Sequence, residues 1–157
     1  MKGSSIIVST DPQGVFVEGY VSGTPKPGTV MQKKASTDPV GGRFTYEVYA
    51  PGADGKAATV YVLLPDDLQG ANYSNAYTTG KACRLYVPAP GEDLNMLVAD
   101  VSGTGDDHYI GERLMIQNST GKLITYTGTP DMCSFECNEA TTDPTADALL
   151  WCTYTGH

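Results

Sequence analysis

The sequence predicts an all-β fold, a compact β-sandwich or β-barrel body with an extended amino-terminal arm. Three observations carry this expectation. Short β-prone runs recur roughly every ten residues with turn residues between them, the spacing of sandwiches and barrels. No segment of useful length repeats with the helical period. The 157 residues include 18 Gly and 10 Pro, a composition hostile to long helices, while the 40% of hydrophobic residues still supply a core.

Taken in order, residues 1–27 read as the arm. Ile6–Val8 and Val15–Val21 are β-prone, and Thr24-Pro25-Lys26-Pro27-Gly28 follows as a strap. Pro25 and Pro27 lack N–H donors and favour extended backbone. Residues 28–157 form the body. Thr29–Lys33 is a short strand. Arg43–Tyr49 alternates, with Phe44, Tyr46 and Val48 on one face, and a turn-rich loop joins it to the apolar run Ala58–Leu64, a hairpin with a long connection. Residues 65–80 are the least strand-like part. Cys83–Val87 alternates with Cys83, Leu85 and Val87 inward, and Asp93–Val98 is the next strand. Tyr109–Ile116 and Lys122–Thr127 flank a short loop that ends in Gly121, a hairpin signature. Met132–Asn138 places Cys133, Phe135 and Cys137 on one face, and Ala146–Tyr154 carries the sole Trp. No repeat of fixed period is visible.

Charge and composition exclude several functions. A formal net charge of −8, with no basic cluster beyond Lys33-Lys34, opposes nucleic acid and anionic membrane as partners. No apolar run is long enough to span a bilayer, and the amino terminus lacks a signal-peptide core. Four cysteines without that signal point to synthesis in a reducing compartment, with thiols unpaired. Cys133 and Cys137 lie four apart on one strand, too far for a disulfide, although Cys83 or Cys152 can meet either across strands. Without a C-x-x-C pair, no metal site is expected, and no cofactor.

Catalysis has little to stand on. His108 follows Asp106-Asp107 in a Gly-rich stretch with the composition of an exposed turn, and no nucleophile elbow, zinc-protease or phosphate-loop motif occurs. The expectation is that the protein is not an enzyme. Ten tyrosines against three phenylalanines are more informative, since Tyr suits contact surfaces. Strand positions account for Tyr46, Tyr61 and Tyr86, whereas Tyr73 and Tyr77 fall in a loop and are candidates for a contact surface.

The layout resembles the capsid decoration, or cement, proteins of tailed bacteriophages. The resemblance is carried by the opening Gly3–Gly28 ahead of a β body, by Gly80–Leu97 with its Pro90-Gly91-Glu92-Asp93, and by Ile110-Gly111-Glu112-Arg113-Leu114 with Thr120-Gly121-Lys122-Leu123. It implies a non-enzymatic protein on the outside of the virion capsid, made in the host cytoplasm. Its partners would be the major capsid protein and two further copies of itself in a homotrimer, and its role to stabilise the shell. Under that reading Ile6, Ile7, Val8, Val15, Val17, Pro25 and Pro27 form the capsid-binding arm, which adds a strand to a neighbour's edge. The alternative is a phage head or tail appendage that binds a host-surface glycan through Tyr73 and Tyr77. A small hydrolase built on His108 is the distant third.

Overall fold

A computed structural model gives the fold. It describes residues 6–50, 59–66, 74–99, 107–126, 133–141 and 147–156. The all-β expectation holds, and the body resolves into two closed five-stranded barrels. The first contains β1 (Val15–Val21), β2 (Val30–Lys33), β3 (Thr45–Val48), β4 (Tyr61–Leu63) and β5 (Ala82–Val87), in the spatial order β1-β3-β2-β4-β5. The second contains β6 (Asp93–Val98), β7 (Arg113–Ile116), β8 (Leu123–Thr125), β9 (Cys133–Cys137) and β10 (Ala148–Tyr154), in the order β6-β8-β7-β9-β10.

These two orders are the same order. Each barrel's first strand runs parallel to its third and antiparallel to its fifth, and the second strand pairs with both the third and the fourth. The chain is therefore a structural duplication. Strand spacings differ between the halves, so no fixed sequence period survives to reveal it. The pairing of β2 with both β3 and β4 corrects the expected hairpin: β2 lies between the two strands that were expected to pair. The β7–β8 hairpin forms as expected.

A recurring turn launches the strands. At Lys26–Thr29, Thr78–Lys81, Ala89–Glu92 and Tyr109–Glu112 the fourth N–H donates to the first carbonyl, at 3.2, 3.2, 3.1 and 3.0 Å. The third residue is always Gly, with φ of 87°, 82°, 90° and 84°, as a type II turn demands. The glycine N–H then donates to the strand alongside: Gly28 to Leu63, Gly80 to Val21, Gly91 to Tyr154 and Gly111 to Cys137. The partner returns a bond to the turn's fourth carbonyl, so each turn sets the register of the strand it opens.

Two cores follow from strand alternation. Inside the first barrel, Val21, Met31, Tyr46, Leu63, Tyr77, Cys83 and Leu85 pack together. The larger cluster fills the second barrel and reaches outward to Ile6, Val30, Val62, Leu64 and Tyr86 of the first half. Backbone bonds reinforce the join: Val30 N–H donates to Gly121 O at 2.7 Å, Leu97 N–H to Gly28 O at 3.0 Å, and Ser119 N–H to Tyr49 O at 2.9 Å. Gly121 allows this approach, because a Cβ there would stand 2.2 Å from the Val30 carbonyl oxygen.

The expected arm needs correction. Val15–Val21 is an integral strand of the first barrel, with six residues in register with β5, and the boundary expected near Pro25–Pro27 falls between two of its strands. Ile6 is buried in the larger core. Burial of Ile6 and Val21 and closure of the barrel outweigh whatever extension the prolines favour.

Candidate functional site: the amino-terminal segment and the outer face of the first barrel

Residues 6–14 cross from the second barrel to the first. Ile7 bridges Leu94 in antiparallel fashion: Asn95 N–H donates to Ile6 O at 2.7 Å, and Val8 N–H to Asp93 O at 3.0 Å. The Ser9 hydroxyl accepts from Asp93 N–H at 2.8 Å. Ile6–Val8 thus covers the side of β6 that β8, paired only at Val98, leaves open. The segment expected to add a strand to a neighbour adds it to its own chain.

Glu92 clasps the crossing. Its carboxylate is 5% exposed and accepts from the Tyr86 hydroxyl at 2.7 Å, from Ala89 N–H at 2.7 Å and from Gly14 N–H at 3.2 Å, with Gln13 N–H as a further donor. Burial alone would raise this carboxyl, but the four donors outweigh it and hold it below the ordinary 4.5. The Tyr86 hydroxyl also accepts from Gly14 N–H at 2.8 Å, and burial with the Glu92 bond pushes it up to about 12.

The other expected site residues scatter. Pro25 and Pro27 are buried, and Pro25 O accepts from Tyr77 N–H at 2.9 Å. Tyr77 is 2% exposed and its hydroxyl donates to Leu64 O at 2.8 Å, so it is a core residue, which corrects its assignment to a contact surface. A phenol can satisfy its one polar atom on a backbone carbonyl and bury the ring, and loop residues close the end of a barrel this way. Tyr73 lies outside the described residues. Val15 is 62% exposed, while Val17 packs toward the first core.

His108 departs from expectation too. It is 3% exposed, its Nδ1 lies 2.9 Å from Glu112 Oε2, and its backbone bridges Thr141. Glu112 is the fourth residue of one launching turn and also accepts from the Thr125 hydroxyl at 2.7 Å. Nearby, Cys137 and Cys152 oppose each other on β9 and β10, with both thiols free and buried. The hydrogen bond between them lowers Cys137 to about 7 and raises Cys152. Neither thiol reaches solvent. Among the described residues no group of three or more His, Cys, Asp or Glu could hold a metal.

What sequence reasoning missed is the outer face of the first barrel. Phe16 is 50% exposed and lies under the Arg84 guanidinium, 5.4 Å from its centroid. Arg84 stands opposite Glu18, which pairs with Arg43 at 2.6 Å, and Lys33 covers the exposed Phe44 ring at 4.1 Å. Exposed aromatics beside Arg are enriched at protein interfaces. The charge balance agrees: residues 1–88 hold eight basic and seven acidic side chains, residues 89–157 two and eleven. A groove of about 470 Å³ where the halves meet is lined, among the described residues, by polar and aliphatic side chains such as Lys26, Glu47, Lys122 and Asp147, with no aromatic ring.

No family model matches the sequence, and no curated protein does. The fold is similar to the crystal structure of the head fiber gp8.5 N base in bacteriophage phi29, with a TM-score of 0.55 at 9% identity. The likeness covers 91% of this chain and 95% of that one, so it spans both barrels.

Proposed function

We propose that the protein is a non-enzymatic component of a tailed-phage head, bound to the outer surface of the shell as trimers and stabilising it. The observation that carries this reading is the end-to-end fold likeness to the base of a phage head fiber. A body knitted by two barrels and a shared core suits a part that has only to hold its shape. The near-neutral first half, with Phe16, Phe44, Arg84 and Lys33 on its surface, is the side we assign to the major capsid protein. Repetition around a closed ring would multiply a weak contact through effective concentration.

The test is co-sedimentation of the purified protein with heads that lack it, together with its mass in solution by light scattering. Saturable binding and a trimeric mass, free or on the head, are expected. A protein that stays monomeric and never pellets with heads would overturn the reading. Of the two tyrosines that the glycan alternative rests on, Tyr77 is buried and Tyr73 lies outside the described residues.

A further inference from the structure

The duplication exposes an asymmetry. Superposing the parallel pairs β1–β3 and β6–β8 by register equates Val21 with Val98, since Ser22 N–H donates to Tyr46 O as Ala99 N–H does to Leu123 O. Counting back, Glu18 corresponds to Asn95, Val17 to Leu94 and Phe16 to Asp93. On β6 the Asn95 N–H and the Asp93 carbonyl are taken by Ile6 and Val8.

On β1 the equivalent groups have no partner among the described residues. Val21 N–H bonds Lys81 O, so alternation turns the odd-numbered residues toward β5 and the even-numbered ones toward the β3 side. There β3 reaches only Tyr20 and Val21, and Tyr20 N–H is satisfied by Phe44 O at 3.0 Å. Among the described residues nothing pairs with the Glu18 N–H or the Phe16 carbonyl, and both side chains are exposed. An uncovered edge with an apolar face is a template for strand addition.

We infer that the edge of β1 at Phe16–Glu18 accepts, antiparallel, an extended segment of the coat subunit on which the protein sits; the identity of that occupant rests on the head-associated reading. The cis segment on β6 shows the form the occupant takes. Its central residue is apolar and bridges Val17 as Ile7 bridges Leu94. The residue beside Phe16 is apolar, and the one beside the Glu18–Arg43 pair is polar. The protein then serves the shell as a strand acceptor, with its own donor strand already used internally.

The test separates backbone from side chain. Glu18→Pro removes the one outward N–H without touching the β5 ladder, and edge strands tolerate such prolines. Glu18→Ala removes the carboxylate but keeps the N–H. Binding to heads should fall at least tenfold for Glu18→Pro and stay within about threefold for Glu18→Ala. In the wild type, the Glu18 amide should exchange with deuterium faster than that of Asn95, and slow on heads. A synthetic peptide copying residues 4–10, in millimolar excess, should slow the Glu18 amide as well, with or without heads. If wild type and both variants bind heads equally, the edge inference fails and the head reading stands. If wild type ignores heads while the peptide protects Glu18, the edge is an acceptor and the head reading fails. An unprotected Glu18 amide in both arms overturns the inference, whether or not Glu18→Pro folds.

Discussion

Glu92→Gln is the sharpest test of how the amino-terminal segment is held. Both carboxylate oxygens accept, one from Gly14 N–H, Gln13 N–H and Tyr86, the other from Ala89 N–H and Tyr86. An amide offers a single acceptor oxygen, so its NH₂ must face a backbone donor in a site that is 5% exposed. Losing charge assistance on several bonds and leaving one buried donor unsatisfied costs about 3 kcal/mol. For a chain of this size that lowers Tm by about 6 to 12 °C. Calorimetry measures the shift, and hydrogen exchange locates it: the Gln13 and Gly14 amides should exchange faster in the variant, while the β9–β10 ladder does not change ahead of them. A Tm within about 2 °C of wild type, or a loss of stability with unchanged exchange at Gln13 and Gly14, would refute the clasp. The pH dependence has a definite sign. A carboxyl held below the ordinary 4.5 stabilises the fold above that value, and this contribution disappears as pH falls through the folded-state value. Wild type should therefore lose its advantage over Glu92→Gln in acid.

Other outcomes follow from the same geometry. Tyr46→Phe and Tyr77→Phe delete the same atom with opposite results: the Tyr46 hydroxyl is buried without a partner among the described residues, so its loss should be neutral or stabilising, whereas Tyr77→Phe forfeits the bond to Leu64 O and should cost about 1 kcal/mol, both measured by urea denaturation. Burial raises Tyr46 and Tyr86 to about 12 and Tyr77 further, so absorbance titration should find tyrosines silent past pH 10 and stability falling as pH rises from there. Gly121→Ala combines φ of 64° with a Cβ placed against the Val30 carbonyl, and should cost about 3 kcal/mol or prevent folding, as solubility and circular dichroism will show. Deletion of residues 1–27 removes a barrel strand and should abolish the native melting transition, whereas deletion of 1–10 uncovers the β6 edge and takes Ile6 from the larger core but leaves every barrel strand, and should leave a folded protein of lower Tm.

Period-two alternation made the strands legible. Tyr46, Cys83, Leu85, Phe135 and Cys137 are buried where that pattern puts them. Alternation says that a face is covered, however, and not what covers it. The parallel pairs β1–β3 and β6–β8 join strands with another strand between them in sequence, so no local signal marks them. His108 and Tyr77 sit among turn residues whose composition reads as solvent-exposed, and each is buried with its polar atom on one specific partner, Glu112 four residues on for His108 and Leu64 O across the barrel end for Tyr77. The prolines at 25 and 27 do extend the chain, but they lead into a launching turn inside a barrel. The exposed ring of Phe16 was hidden in β1 for a related reason: an aromatic residue in a strand reads as core until the direction of its side chain is known.

The route of the amino-terminal segment also governs how the protein can be made. Val15–Val21 has no barrel to close until Val87 has emerged, and Ile6–Val8 has no edge to cover until β6 is held by β10, whose register extends to Thr153. At ribosomal speeds the first apolar residues wait roughly 7 to 30 s for the last ones. During that interval Ile6, Ile7, Val8 and Phe16 are exposed together on a nascent chain, where apolar strand sequences associate most readily. The contacts of Ile6–Val8 thus form only after β10 has been made, and the yield of native protein depends on how well that segment is shielded until then.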